Sequence, residues 1–170
     1  MEKLSNYSIR DLKPDEVYIL EDMLYEAIFQ KDENNLLAKE VINHPELKVY
    51  IDNWGQPDDR CLVAEIHGKI VGAVWTRILD GKVKGYGNVD NQTPEFAISL
   101  FKEYRNQGIG TALMQEMIEK LKKHRYIQVS LSVVKNNYAF GMYRKLGFEI
   151  IKENEEDYLM ILKLPCGDEG

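Results

Sequence analysis

The chain has little with which to cross-link itself or hold a metal. Two cysteines, Cys61 and Cys166, stand far apart among 170 residues. They form neither a disulfide framework nor a C-x-x-C pair, which points to a reducing compartment, and cytoplasmic residence is expected. The three histidines, His44, His67 and His124, lack metal-ligand spacing, so no metal is expected. No apolar run nears the ~20 residues that span a bilayer, and the first residues lack the basic and apolar blocks of a secretory signal. No membrane partner is expected. Positive charge is also in deficit: 22 Lys and Arg stand against 28 Asp and Glu, a formal net of −6. Nucleic-acid affinity is built on clustered Lys and Arg, so a general binder of phosphate backbones is excluded as a reading, although a local basic pocket for one phosphorylated ligand is not.

What remains is the composition of an ordinary globular protein, 44% hydrophobic and 29% charged, of a length that suits one domain. No linker, repeat or low-complexity stretch divides it. Residues 1–164 are expected to form a single domain, followed by a flexible tail over 165–170. Alternation predicts a strand over 7–12, and Pro14 opens a helix whose apolar stripe is Val17, Leu20, Leu24, Ala27 and Ile28. A second helix is predicted over 34–42, ending before Pro45. Residues 61–66 and 70–79 read as two strands joined by a tight turn at His67-Gly68-Lys69. A polar, glycine-containing loop covers 80–92. Then follow a strand over 96–101, a helix over 111–123, a strand over 127–134, a helix over 136–146, and a final antiparallel pair over 148–151 and 158–164. Irregular alternation of this kind predicts a mixed α/β (α+β) fold on one largely antiparallel sheet.

The most informative stretch is Arg105-Asn106-Gln107-Gly108-Ile109-Gly110-Thr111. A strand ends, a Gly-x-Gly turn follows and an amphipathic helix begins at once. Glycine permits close backbone approach, and the free amides of a helix N-terminus suit an anion such as pyrophosphate. It is not a Walker A loop, since no Gly-Lys-Ser/Thr closes it, and it departs from the dinucleotide fingerprint, since Leu113 stands where the third glycine belongs. A plain strand-to-helix connection is the remaining alternative.

The stretch 105–110 resembles the Arg/Gln-x-x-Gly-x-Gly/Ala motif of the GNAT superfamily of acyl-CoA-dependent N-acetyltransferases. A second block agrees: Asn136, Ala139, Tyr143, Lys145, Gly147 and Phe148 match the anchors of that family's Asn-x-x-Ala-x-x-x-Tyr-x-Lys-x-Gly-Phe segment. The resemblance is strong over 61–148, and it implies a GNAT fold with two splayed parallel strands in a mostly antiparallel sheet, flanked by helices. It implies acetyl-CoA as cosubstrate, its pantetheine pairing with the main chain of Ile98 and Leu100. The Leu100 amide is then the donor to the thioester carbonyl. Amides from Gln107, Gly108, Ile109, Gly110 and Thr111, with Asn106 and Arg105 at the head of the turn, are implied to hold the pyrophosphate. Asn136 is implied to bond the pantetheine arm. Tyr143 is implied as the acid for the thiolate leaving group, its alternative being a packed aromatic. Glu95 is the candidate base, its alternative an exposed charge at a strand start.

The acceptor is an amine that the sequence does not name. Trp75, Arg77, Tyr86, Trp54 and Tyr25 are candidates to line its side of the site, although large aromatics are more often core. The main reading is direct acetyl transfer in a ternary complex to a primary amine of a small molecule. Acetylation of a protein N-terminus or lysine, and a non-catalytic acyl-CoA sensor, are the alternatives. Dimers are common in such a family, so a homodimer is an option. Lys102, Arg105, Lys122, Lys123, Arg125, Arg144 and Lys145 fall in the half of the sequence expected to grip the CoA phosphates.

Overall fold

The computed structural model describes residues 6–30 and 32–165. Of the expected tail, only Pro165 is described; Cys166 and the residues after it lie outside. Seven strands form one sheet: β1 (Ser8–Asp11), β2 (Arg60–Ile66), β3 (Lys69–Arg77), β4 (Glu95–Leu100), β5 (Gln128–Val134), β6 (Glu149–Glu153) and β7 (Asp157–Lys163). Their order is β1-β2-β3-β4-β5-β7-β6. Every neighbouring pair is antiparallel except β4 with β5, which is parallel. The mixed α+β fold and mostly antiparallel sheet read from the sequence are therefore present.

Helices cover both faces: α1 (Ile19–Ala27), the single turn α2 (Pro45–Lys48), α3 (Ile109–Lys123) and α4 (Ala139–Leu146). Period-two alternation in the strands sorts the core into two layers. In β2, Leu62 and Ala64 join α3 residues Leu113, Met114, Met117 and Leu121 in one cluster. Cys61 and Val63 turn the other way, onto Leu20, Met23 and Leu24 of α1. The hairpin turn between β2 and β3 has both central residues left-handed, His67 at φ 49° and Gly68 at φ 79°, as a two-residue turn requires.

Pro14 opens a 3-10 turn, Pro14–Glu16, with α1 following at Ile19, and α4 starts at Ala139 rather than at 136; two further elements differ more. The helix predicted over 34–42 is only a 3-10 segment, Lys39–Asn43, preceded by extended Ala38. Leu37, expected on the apolar face of that helix, is exposed, as is its neighbour Leu36, so no buried stripe supports a longer helix. The return strand stops at Arg77 rather than at Leu79. Leu79 is buried beyond the strand end, where it packs beside Gly85; apolarity marked burial there, not pairing. Among the described residues no helix is long and apolar enough to cross a membrane.

The parallel junction is what positions the site. β4 and β5 pair only at Glu95 opposite Ser130, with the Ser130 amide donating to the Pro94 carbonyl at 2.9 Å. Beyond that point the strands part. The β3–β4 register continues from Arg77 opposite Glu95 to Gly72 opposite Leu100, and the Phe101 amide donates to the Val71 carbonyl at 3.0 Å. Antiparallel pairs alternate between bonded and non-bonded positions. Phe101, Ser99 and Ala97 thus face β3 with their main-chain groups, and those of Ile98 and Leu100 face the gap left by β5.

Candidate active site

A cleft of about 900 Å3 opens along this gap. Its floor includes Ile98 and Leu100 of β4, and Tyr143, Glu95, Arg105, Gly108, Gly110 and Thr111 all reach its walls.

At one end lies the turn into α3. Asn106 at φ 62° and Gly108 at φ 89° are both left-handed, and this bends the chain so that the helix starts immediately. The first intrahelical bond runs from the Ala112 amide to the Gly108 carbonyl at 3.1 Å. Amides of Ile109, Gly110 and Thr111 are thereby left without intrahelical acceptors, and no acidic residue stands in the first turn. This end fits an anion. Arg105 serves it indirectly: its Nε donates to the Leu100 carbonyl at 3.0 Å and its Nη2 to Glu26 at 3.0 Å. The guanidinium ties the end of β4 to the end of α1.

The wider basic cluster is not gathered at this turn. Lys122, Lys123 and Arg125 sit at or beyond the opposite end of α3, about 20 Å away at ~1.5 Å per residue. Lys102 pairs with Glu33 at 3.0 Å and Lys122 with Glu119 at 3.2 Å. Sequence proximity to the motif was read as spatial proximity, and the length of α3 undoes that inference. What the structure places at the turn itself is main-chain amides.

α4 carries Tyr143 into the cleft. Its C-terminus is closed by Gly147 at φ 106°, with the Phe148 amide donating to the Tyr143 carbonyl at 3.0 Å and the Gly147 amide to Arg144 at 3.1 Å. This is the paired cap that a left-handed glycine allows. Phe148 then packs edge-on against Tyr143, ring centroids 5.9 Å apart. The anchors Tyr143, Gly147 and Phe148 thus form one geometric unit. The Tyr143 ring is buried, and burial raises its phenol well above the ordinary range, so it is protonated at neutral pH. Its hydroxyl bonds to no described residue, which leaves it free for a ligand.

Glu95 begins β4 and is 3% exposed, not the surface charge that a strand start would suggest. Its Oε2 accepts from the Tyr50 hydroxyl and from the Gly87 amide at 3.0 Å. Its Oε1 is buried with no partner among the described residues. Burial pushes the carboxyl up to about 7, against the two hydrogen bonds, which lower it. A carboxylate poised there can take a proton near neutral pH.

The five acceptor-side candidates separate. Tyr86 lines the cleft and is exposed. Trp75, Arg77, Trp54 and Tyr25 do not line it. Trp75 is fully buried, and its Nε1 donates to the Tyr50 carbonyl at 3.1 Å. Arg77 pairs with Asp59 through two bonds of 3.0 and 2.9 Å and donates to the carbonyls of Val49 and Asp52. The Trp54 ring covers this guanidinium at 5.2 Å, and the Tyr25 hydroxyl is bonded to the Leu37 carbonyl. These side chains brace the turn after α2 and the segment before the 3-10 helix, Trp75 and Arg77 from within the core and Trp54 and Tyr25 half-buried. Among the anion-site candidates, Asn106 lines the cleft. Gln107 and Ile109 contribute no lining side chain: Gln107 turns back to the Glu103 carbonyl and Ile109 is core. Asn136 is exposed outside the lining, and its neighbours Asn137 and Tyr138 line it instead.

Three contributors had no counterpart in the sequence reading: Tyr50, Gly85 and Gly87. The glycines were visible only as loop punctuation. A Cβ on Gly85 would lie 2.1 Å from Glu95 Oε1, and one on Gly87 2.9 Å from its Cδ. They are what lets the loop close on the carboxyl.

Comparison with known proteins agrees with this architecture. The sequence profile of the Acetyltransferase (GNAT) family matches residues 21–148. An N-alpha-acetyltransferase of Sulfurisphaera tokodaii is 30% identical over 126 residues, covering 68% of this chain and 75% of that protein. The L-amino acid N-acetyltransferase AaaT of Escherichia coli is 36% identical over 81 residues, 42% of this chain and 50% of the other. Among solved structures, PaiA N-acetyltransferase from Thermoplasma acidophilum in complex with coenzyme A superposes with a TM-score of 0.66 at 20% identity, over 93% of this chain and 99% of that one. The fold, the splayed junction and the profile match converge: the chain belongs to the GNAT family of N-acetyltransferases.

Proposed function

We propose that the protein transfers the acetyl group of acetyl-CoA directly to a primary amine bound beside Glu95. The observation that carries the reading is Glu95 itself. A buried carboxyl with a free oxygen shares one cleft with an amide-rich helix start and a free phenol. An ammonium has no lone pair, so an amine must lose a proton to attack a thioester carbon. The Glu95 carboxylate takes that proton, directly or through one water. Tyr143 gives its proton to the departing sulfur as the carbon–sulfur bond breaks, and the excess proton on the attacking nitrogen restores the Tyr143 phenol through water, which leaves a neutral amide and free CoA thiol. The Leu100 amide, facing the gap, is a donor for the carbonyl oxygen on which negative charge develops. The first-turn amides of α3, with Asn106 at the head of the turn, hold the pyrophosphate, and the edge of β4 at Ile98 and Leu100 pairs with the pantetheine as an added strand would. Cys61 is buried with its thiol pushed well up and does not line the cleft, so among the described residues no cysteine supports a covalent acyl-enzyme.

The acceptor is read as the amine of a small molecule. A second reading, the N-terminal amine of a polypeptide, is favoured by the N-alpha-acetyltransferase relative. CoA release tests both, with free amino acids, polyamines, short peptides with a free α-amine, and the same peptides blocked at the N-terminus but bearing lysine. Turnover on amino acids or polyamines supports the first reading; turnover confined to unblocked peptides supports the second. CoA binding without turnover on any amine would replace both with an acyl-CoA sensor.

A further inference from the structure

The Tyr50 hydroxyl lies at a junction between segments distant in sequence. It donates to Glu95 Oε2 and accepts the Tyr86 amide at 2.8 Å. The adjacent Gly87 amide reaches the same Oε2 at 3.0 Å, and the Gly87 carbonyl is held by Ser130 Oγ at 2.6 Å. Residues 85–87 therefore form a strap across the carboxyl, riveted to Tyr50 on one side and β5 on the other. Tyr50 is itself held from below. Trp75 bonds its carbonyl, and Arg77 bonds the carbonyls of Val49 and Asp52 on either side of it. Two neighbouring residues of β3 thus fix the turn that presents the phenol.

We infer that Tyr50 is a positioning residue for acetyl transfer: with the strap, it holds the Glu95 carboxyl in one orientation, engaging Oε2 and leaving Oε1 as the unbonded oxygen. The inference rests on the reading of Glu95 as the base. A carboxyl free to rotate would present either oxygen and would lose the alignment that proton transfer needs. The groups facing Glu95 support a specific role for Tyr50. From β3, Arg77 stands opposite but gives its guanidinium to Asp59. From β5, Ser130 is neutral and turned to Gly87. From the strap come the glycines and the Tyr86 amide, while burial, and after it the charges of Glu46 and Asp157, raises the Tyr86 phenol. Tyr50 is the one side chain that donates to the carboxyl among the described residues.

The test reads Glu95 directly. With glutamate carrying a 13C carboxyl label, the Glu95 resonance, identified by its loss in Glu95→Gln, is titrated in the ligand-free protein. In Tyr50→Phe its midpoint should rise by about one unit, since a hydrogen bond favouring the charged form is gone. The kcat should fall about tenfold with the acetyl-CoA KM unchanged, and the acid limb of kcat/KM should move to higher pH. Global 3-fluorotyrosine labelling strengthens the donor without removing it, and should move the Glu95 midpoint downward. It keeps the test open if Tyr50→Phe does not fold. A Glu95 midpoint that neither change moves would overturn the inference. Glu95→Gln with wild-type kcat and pH profile would instead overturn the role of Glu95 as base, whatever the titration shows.

Discussion

The turn into α3 and the carboxyl of Glu95 share one cleft but are assembled differently. The turn is local: seven consecutive residues, 105–111, supply the left-handed bends, the helix start and the free amides. Its chemistry belongs to the main chain, so a short pattern of glycines encodes it. The base end is non-local. It needs Glu95 at the start of β4, Tyr50 from the turn after α2, the strap at 85–87 and Ser130 of β5. No local pattern encodes that set, because each member is defined by what the fold brings next to it. One end offers main-chain donors, the other a side chain whose ionisation depends on its surroundings.

That contrast can be broken by mutation, and the largest effect is expected at Glu95. Glu95→Gln should lower kcat by ~10²–10⁴-fold while leaving acetyl-CoA affinity, measured by calorimetry, near wild type. In the wild type, activity should rise with pH through about 7, as the carboxylate forms. An α-amine acceptor, losing its own proton near ~7.7–8.0, adds a second and higher limb. Only the higher limb should survive in Glu95→Gln, and a profile that keeps both would separate Glu95 from proton removal. Tyr143→Phe comes next, with kcat lower by ~10²-fold and acetyl-CoA binding retained; unchanged kcat on the best amine would remove Tyr143 from the chemistry.

A smaller effect is expected for Gly85→Ala. Its Cβ would lie 2.1 Å from Glu95 Oε1, so the strap must shift, at a cost of roughly 1–3 kcal/mol. The kcat should drop without a change in acetyl-CoA KM. The smallest effects sharpen the other end. Gly108→Ala forces a side chain into the left-handed region at φ 89°, costing ~1–2 kcal/mol, and should raise the acetyl-CoA KM. Gly110→Ala meets only ordinary contacts, the nearest at 3.5 Å, and should leave stability, read by thermal melting, almost unchanged. Equal effects at 108 and 110 would show that the turn tolerates strain and that its geometry is not what binds.

The same division explains what could be read from the chain. The strands around the splay, α3 and α4 were legible because apolar periodicity and left-handed glycines are local signals; Gly147 and Phe148 even encode the cap that seats Tyr143. The failures cluster where partners decide. Trp75 and Arg77 were taken for acceptor contacts, since an aromatic and a cation near a site look functional in isolation, yet both are buried under the Tyr50 turn. Glu95, singled out on family position, lines the cleft, but its burial and its partner phenol could not be read from Thr93-Pro94-Glu95. The 34–42 segment misled because apolar residues at helical spacing do not disclose that nothing lies opposite them.

The strap has a consequence for redesign. Tyr86 is clamped through its backbone, with a glycine on each side that tolerates no Cβ and an amide fixed to Tyr50. Its side chain is 56% exposed at the mouth of the cleft. Position 86 is thus a mutable handle on a braced frame: a saturation library there varies the lining of the cleft while the Glu95 carboxyl stays where Tyr50 and the flanking glycines hold it.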